Sequence, residues 1–582
     1  MRRFLAVLLA VLLAPCARAA DPTPVPATHG MVVSAQRLAS AVGARILAEG
    51  GNAVDAAVAV GYALAVVYPA AGNLGGGGFM TLRLADGRSD FLDFREKAPL
   101  AATPTMFLDA NGEPDPEKSR RSWLAVGVPG SPAGLEAARV RYGTLSRQRL
   151  MQPAIDLARD GYVADPDDLG LFAALAPLLA ADQATAAIFL PGGRPPPPFT
   201  RFRQPALARS LGLISAEGPD RAFYNGPIGR AIVAASKAGG GALSEADFAR
   251  YRPRWLAPVT CAYRGFGVIS APPPSSGGVT LCEMLNILSG YDLRAAGFHS
   301  AAEIHDLVEA MRRAFHDRNY RLGDPAFVRN PVAELTSAAY AAGLRKGIDP
   351  ERATPSASLE PAAGPVAKEG AETTQYSVVD GRGNAVSVTY TLNGFFGIGR
   401  VAGDTGILMN NEMDDFAAKP GTANMFGLVQ GDANAVAPGK TPLSSMTPTI
   451  LTRNGRLALV TGSPGGPRII TTVLQDIVNM VDFGMNTAEA IDAPRIHAQF
   501  LPDVVFTEPW AVSADTAALL AQRGYKLRQD GTWSDAQAIS ADGETLLTPP
   551  TAPYRIVPYL PGVTLYGASD VRGASGAAVP VN

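Results

Sequence analysis

Cysteine is scarce in this 582-residue chain: there are three, and one of them, Cys16, falls near the start. The other two, Cys261 and Cys282, are too few to carry a disulfide-built scaffold. A disulfide in an oxidising compartment and two buried thiols both fit them. Beyond the N-terminus no stretch offers about 20 unbroken apolar residues, which excludes a bilayer-spanning helix there. Charge is modest too. Charged residues make up 18% and the formal net charge is −2, so nothing points to nucleic acid or an anionic membrane as partner. There is no internal repeat. What the chain does have is apolar content, 47%, too much for disorder and enough for a large core.

The first residues read as a leader. Arg2 and Arg3 precede an apolar run over 4–14, and small residues follow at Ala17, Ala19 and Ala20. A basic start, a short apolar core and an A-x-A site make a secretory signal over 1–19, and the protein is expected to be periplasmic or secreted. Cys16 offers a competing reading, a lipid-anchored cysteine, which Pro15 before it fits poorly.

Residues 35–50 and 53–67 carry helical apolar patterns separated by Gly50-Gly51. AGNLGGGGFM at 71–80 leads into a strand-like TLRL, and FLDF at 91–94 is a second short strand ending at Arg95-Glu96. The middle, roughly 125–350, is mostly helical with Pro-Gly breaks, and 191–199 is an exposed Pro-rich loop. Ser300 and Glu303 form a capping box before a long helix. His305 and His316 lie on one face of that helix, but eleven residues put them ~16 Å apart, too far to share a metal. Both read as packing histidines.

Residues 352–370 have the small, Pro-rich character of a linker. TTQYSVVD, GRGN and AVSVTYTLN then read as strand, turn, strand. Pairing Asp380 with Ala385 across a four-residue turn places Thr373 opposite Leu392, flanked by Thr391 and Asn393. Taken alone, this is an ordinary hairpin after a linker. Later, PTILTRNGRLALVTG turns at Asn454-Gly455 and is followed by SPGG and a helix from about 467 to 482.

The segment TTQYSVVDGRGNAVSVTYTLN resembles the gamma-glutamyltransferase family, and the resemblance covers nearly the whole chain after the leader. It runs in order through GGNAVDAAVA (50–59), GNLGGGGFM (72–80), DFREKAP (93–99), VPGSPAG (128–134), APPPSSGGV (271–279), NNEMDDF (410–416), PLSSMTPTI (442–450), TGSPGG (461–466) and LYGASD (565–570). It implies an α+β fold, the four-layer αββα sandwich of N-terminal nucleophile enzymes. It also implies self-cleavage between Glu372 and Thr373, giving a large subunit over 20–372 and a small one over 373–582 that share one core.

The implied roles match the chemistry of each residue type. Thr373, once N-terminal, carries its own base: an α-amine with a reference pKa of about 7.7–8.0 beside its hydroxyl. Thr391 matches the residue that orients it. Gly465 and Gly466, between a strand and a helix start, match the oxyanion hole. Arg95 matches the residue that grips the substrate α-carboxylate, with Ser444 and Ser445 as hydroxyl donors beside it. Asn393, Glu412 and Asp415 match those that hold the α-ammonium; at the position of Glu412 some relatives carry glutamine. No cofactor or metal is implied.

Residues 419–434 match a lid loop with Phe426 where relatives often have tyrosine. A phenyl ring cannot hydrogen-bond Asn393, so a weakly latched lid is expected. The stretch 546–562 looks inserted and has no assigned role.

The expected activity is transfer of a gamma-glutamyl group from glutathione or a similar donor to water, an amino acid or a peptide. An acylase of the same family, acting on glutaryl side chains of β-lactams, is the alternative. Its substrate has no α-ammonium and gives no reason for Glu412 and Asp415. A non-catalytic periplasmic binding protein is a third reading, disfavoured by the presence of Thr373, Thr391, Gly465 and Gly466.

Overall fold

The alternation around the GRGN turn produces the hairpin at the centre of the molecule. In the computed structural model, which describes residues 22–359, 373–541 and 565–582, strands Thr374–Asp380 and Ala385–Thr391 pair antiparallel. The register differs by one from the sequence expectation: Val379, not Asp380, faces Ala385, and Thr374 faces Tyr390. The cause is local. The Asp380 carboxylate accepts the N–H groups of Arg382 (2.9 Å) and Asn384 (3.0 Å), and Asp380 N–H bonds to Asn384 O, which lengthens the turn by one residue. Continued outward, this register brings Thr373 opposite Thr391 instead of Leu392.

The hairpin sits inside a seven-stranded antiparallel sheet. Across the sheet the order is Ala577–Val581, Gly30–Ser34, Thr374–Asp380, Ala385–Thr391, Gly77–Arg83, Ser89–Asp93 and Arg254–Leu256. Strands from before and after residue 373 therefore interleave, and neither part completes the sheet alone. A second antiparallel sheet of seven contains Thr449–Arg453 and Arg456–Thr461, joined by the expected tight turn with positive φ at Asn454 and Gly455. It also contains Val259–Tyr263 and Phe266–Ser270. The segment 254–270, inside the region expected to be mostly helical, is thus three strands. Its turn at Arg264-Gly265 takes positive φ at both residues.

The sheets pack face to face. Met31, Val33 and Val379 meet Ile269, Ile450, Val460 and Ile539 between them. Hydroxyls tie the sheets together where the interface is polar: Ser377 Oγ bonds Gln537 O at 2.8 Å and Ser387 Oγ bonds Thr461 O at 2.9 Å. The other face of the first sheet buries Tyr376, Val378, Val386 and Val388 under helices Arg37–Ala48 and Ala53–Val67. The second sheet is covered by helices Gly277–Leu288, Ala301–Arg321 and Arg468–Val481. The result is helix, sheet, sheet, helix, the four layers implied by the resemblance.

Cys261 and Cys282 form a disulfide with Cα atoms 5.9 Å apart, resolving the alternative left open by sequence. Only half of the expected capping box is made: Ser300 accepts from Glu303 N–H, without the reciprocal bond. His305 bonds Tyr525 Oη at 2.7 Å and His316 packs edge-on to Phe500, both as packing residues. No helix among the described residues is long and apolar enough to cross a membrane. The leader over 1–19 with Cys16, Glu372 of the cleavage site and the stretch 546–562 lie outside the described residues.

Candidate active site

Thr373 stands at the open end of the central hairpin, 5% exposed, immediately before the strand that begins at Thr374. The neighbouring strand ends at Thr391, whose Oγ1 accepts the N–H of Asn393 at 2.9 Å. That bond forces the chain to turn sharply, and Asn393 takes φ of 71°. Among residues with a side chain, asparagine tolerates this conformation best, at a cost of ~1 kcal/mol. The turn aims Asn393 Nδ2 at Asn411 O (3.0 Å) and at Met425 Sδ (3.4 Å).

Arg95 follows strand Ser89–Asp93 and is 1% exposed. Its two terminal nitrogens divide between Glu412 and Asp415, the ends of a short helical turn. Burial works against charge on all three. It pushes the Glu412 and Asp415 carboxyls up, opposed by Arg95, while the two carboxylates together more than restore the arginine. Glu96 lies against Glu412; its carboxyl is pushed up to about 7 by burial, with Arg95 pulling the other way. Burial thus favours the protonated form of both carboxyls.

Ser444 and Ser445 lie 1% and 7% exposed on the loop before strand Thr449–Arg453. Ser444 is fixed through its backbone, its N–H donating to Pro274 O (2.9 Å) and its carbonyl accepting from Ser276 N–H (2.8 Å). Ser445 Oγ accepts from Arg318 at 3.2 Å. Arg318 is buried and also bonds Ser276 Oγ (3.2 Å) and Gln430 Oε1 (2.7 Å). Burial lowers it to about 10 despite the pull of Asp415.

Gly465 and Gly466 form the turn between strand Arg456–Thr461 and helix Arg468–Val481. Their φ values, 127° and 55°, exclude most side chains. Neither N–H donates to an acceptor among the described residues, so both remain available at the positive end of a fourteen-residue helix. A Cβ on Gly466 would lie 2.7 Å from the Phe426 ring, so the lid loop rests directly on this turn. The loop is held by more than its tip: Met425 N–H donates to Asp414 (2.9 Å), and Gln499 Nε2 donates to Phe426 O (3.1 Å). Asn434 Nδ2 and Gln430 Nε2 both donate to Asp415 O. The expectation of a weak latch needs correcting to that extent: the Phe426 ring makes no polar contact with Asn393, but the Met425 sulfur does and the loop is bonded along its length.

One small cavity is lined by Thr373, Thr391, Asn393, Arg95, Glu412, Asp415, Ser444, Ser445, Phe426 and Gly466. Ten of the residues singled out from sequence thus converge. Gly465 lies just behind, against Ser534 Oγ. The cavity has about 20 Å³ of free space, room for roughly one water, so an amino-acid-sized ligand fits only when lining side chains move. Glu96, Arg318 and Met425 were not singled out. Glu96 was in view as the neighbour of Arg95, but nothing in the sequence marks the burial that brings the other two to the site.

The arrangement brings together a threonine hydroxyl, a glycine turn at a helix start, a guanidinium and carboxylates, groups able to meet a ligand bearing both signs of charge. Comparison with known proteins agrees with that chemistry. A family model described as gamma-glutamyltranspeptidase matches residues 39–579. The glutathione hydrolase proenzyme of Pseudomonas sp. (strain A14) is 51% identical over 562 residues, covering 96% of each chain. That of Escherichia coli (strain K12) is 48% identical, covering 94% of this chain and 91% of the relative. Among solved structures, a cephalosporin acylase from Bacillus halodurans superposes with a TM-score of 0.82 at 27% identity, covering 98% of this chain and 99% of that one.

Proposed function

The chain belongs to the gamma-glutamyltranspeptidase family, and on that premise we propose that it is a glutathione hydrolase and gamma-glutamyltransferase whose nucleophile is Thr373. The precursor cleaves itself between Glu372 and Thr373; 20–372 form the large subunit and 373–582 the small one. They stay together because the first sheet needs strands from both. The freed α-amine of Thr373 takes the proton of Oγ as Oγ attacks the donor's γ-carbonyl. Gly465 and Gly466 N–H groups receive the oxyanion, and Thr391 orients the nucleophile. The amine or thiol-bearing peptide leaves, and water or an acceptor amine releases the gamma-glutamyl group from Oγ. No cofactor enters these steps. The leader and the Cys261–Cys282 disulfide support export to the periplasm or medium.

The observation that carries this reading is that Thr373 shares one cavity with Arg95 paired to Glu412 and Asp415. The α-carboxylate of a gamma-glutamyl group displaces the carboxylates from Arg95, with Ser444 and Ser445 beside it. Its α-ammonium takes up Glu412, Asp415 and Asn393. The exchange leaves every charge paired, which a glutaryl group, lacking the ammonium, does not achieve. Hydrolysis of gamma-glutamyl and glutaryl p-nitroanilides tests it. A preference of about 100-fold or more for the gamma-glutamyl compound is expected, the worth of ~3 kcal/mol in buried charge pairing. A preference for glutaryl assigns the acylase activity instead.

Burial of the Glu96 and Glu412 carboxyls gives a pH signature. Burial raises both carboxyls, Glu96 to about 7, so as pH falls they hold protons more fully and attract the ammonium less, and as pH rises through that range Glu96 releases its proton and the attraction strengthens. Donor KM should therefore rise several-fold from pH 8 to pH 6. Glu412→Gln, which removes one of the two carboxyls, should flatten that rise. An equal slope in the variant would place the titrating group elsewhere.

A further inference from the structure

Arg318 is a buried cation beside the donor pocket that has no part in the acyl-transfer steps. It sits near the end of helix Ala301–Arg321, and the acceptors of its hydrogen bonds among the described residues are all uncharged oxygens. Nε donates to Ser276 Oγ at 3.2 Å. One Nη donates to Asn319 Oδ1 (3.2 Å) and Gln430 Oε1 (2.7 Å), and the other to Ser445 Oγ (3.2 Å). Burial lowers Arg318 only to about 10, with Asp415 pulling the other way, so it is charged at neutral pH. A guanidinium held out of water on neutral acceptors is costly, and its place at the pocket wall asks for a return.

A guanidinium only donates, and that dictates where the serine protons go. At Ser276 the arginine takes up a lone pair, and the Ser276 proton passes to Ser444 O at 2.7 Å. At Ser445 it again takes up a lone pair, but here the hydroxyl has no acceptor of its own among the described residues. Ser445 lines the cavity that holds Thr373 and Arg95, so its proton is left for whatever occupies that cavity. Ser444 reaches the same state by another route, its Oγ accepting Met446 N–H at 3.0 Å. Both hydroxyls are thus set as donors beside Arg95, an arrangement that suits an anion. The bond from a cation also polarises the Ser445 O–H and strengthens it as a donor.

We propose that Arg318 is a positioning residue for the donor: by occupying a lone pair of Ser445 Oγ it fixes that hydroxyl as a hydrogen-bond donor to the substrate α-carboxylate, and so sharpens the pocket's selection for that carboxylate. The inference rests on the transferase reading above, which puts the α-carboxylate beside Arg95 and Ser445. Arg318 acts through the serine and does not touch the donor. Without it the Ser445 hydroxyl is free to rotate and is no longer polarised, and its bond to the carboxylate weakens on both counts.

A double-mutant cycle read as a ratio of two donors tests this. Gamma-glutamyl and 4-aminobutyryl p-nitroanilides differ only by the α-carboxylate, and the wild type should favour the first in kcat/KM by about 100-fold or more. Ser445→Ala should lower that preference about tenfold, and Arg318→Met about tenfold as well. The double variant should fall no more than about twofold below Ser445→Ala, because the arginine acts through the hydroxyl. Arg318→Gln should behave as Arg318→Met does: its amide nitrogen stands where Nε was, within reach of Ser276 and short of Ser445. It carries the cycle where Arg318→Met yields no processed enzyme. Each preference is internal to one preparation, so general damage to the fold lowers both donors and cancels. A preference unchanged in the arginine variants, or losses that multiply in the double variant, overturns the positioning role. A wild type that hydrolyses the two donors equally overturns the reading of the pocket beneath it.

Discussion

Thr373→Ala should remain a single chain under denaturing conditions, whereas the wild type should give two, the smaller starting at Thr373 and ending at Asn582 with 210 residues. In the proposed processing step of the wild type, Thr373 Oγ attacks the carbonyl of residue 372. The peptide C–N bond breaks as the ester forms, the nitrogen becomes the free α-amine, and water then cleaves the ester. Alanine has no oxygen to accept the acyl group, so neither the first step nor later catalysis proceeds. Hydrolysis should drop at least about 10⁴-fold, the scale of losing a covalent nucleophile. Thr373→Ser keeps the oxygen and should still process, more slowly, because serine lacks the methyl that restricts the threonine rotamer. Intact mass and N-terminal sequencing distinguish these outcomes. An uncut wild type with native structure would remove the α-amine from the mechanism, and with it the account of Thr373.

The parts of this site that sequence revealed are those set by local pattern. Residues 374–391 alternate around a Gly-containing turn, and Asn454-Gly455 names its own turn type, so both hairpins were legible. The register at Thr373 was not, because one carboxylate, Asp380, adds a residue to the turn. Convergence is a different matter. Arg95 and Glu412 are 317 positions apart, and no periodicity joins them; family resemblance alone placed them together. Arg318 illustrates the remaining gap. On its helix it is one of several arginines with nothing to distinguish it, yet packing buries it without a direct carboxylate partner among the described residues, between Ser445 and the lid residue Gln430. Burial is a property of the assembled layers, and the strands 254–270 that help close the sheets were themselves hidden in a helix-rich region.

Arg95 should show the largest loss among the binding residues. It is the cation between two buried carboxylates, and its removal leaves Glu412, Asp415 and Glu96 together, with the buried Arg318 acting on Asp415 alone as the remaining opposite charge. Breaking such a pair costs ~3–5 kcal/mol. Part of that cost is relieved as the carboxyls take up protons, so Arg95→Ala should fold while losing about 10³-fold in donor kcat/KM. The loss should fall mainly on KM. The α-carboxylate lies three carbons from the reacting carbonyl and carries the same charge in ground and transition states, so its binding is uniform along the reaction. Arg95→Lys keeps the charge but cannot span Glu412 and Asp415 with two parallel nitrogens, and should fall between wild type and alanine. The 4-aminobutyryl anilide sharpens the test: it has the ammonium without the α-carboxylate, so the wild type should use it poorly and Arg95→Ala should cost it far less than the gamma-glutamyl compound. Equal losses on both donors, or a fall in kcat at constant KM, would mean that Arg95 acts by shaping the pocket around Thr373 and not by holding the carboxylate.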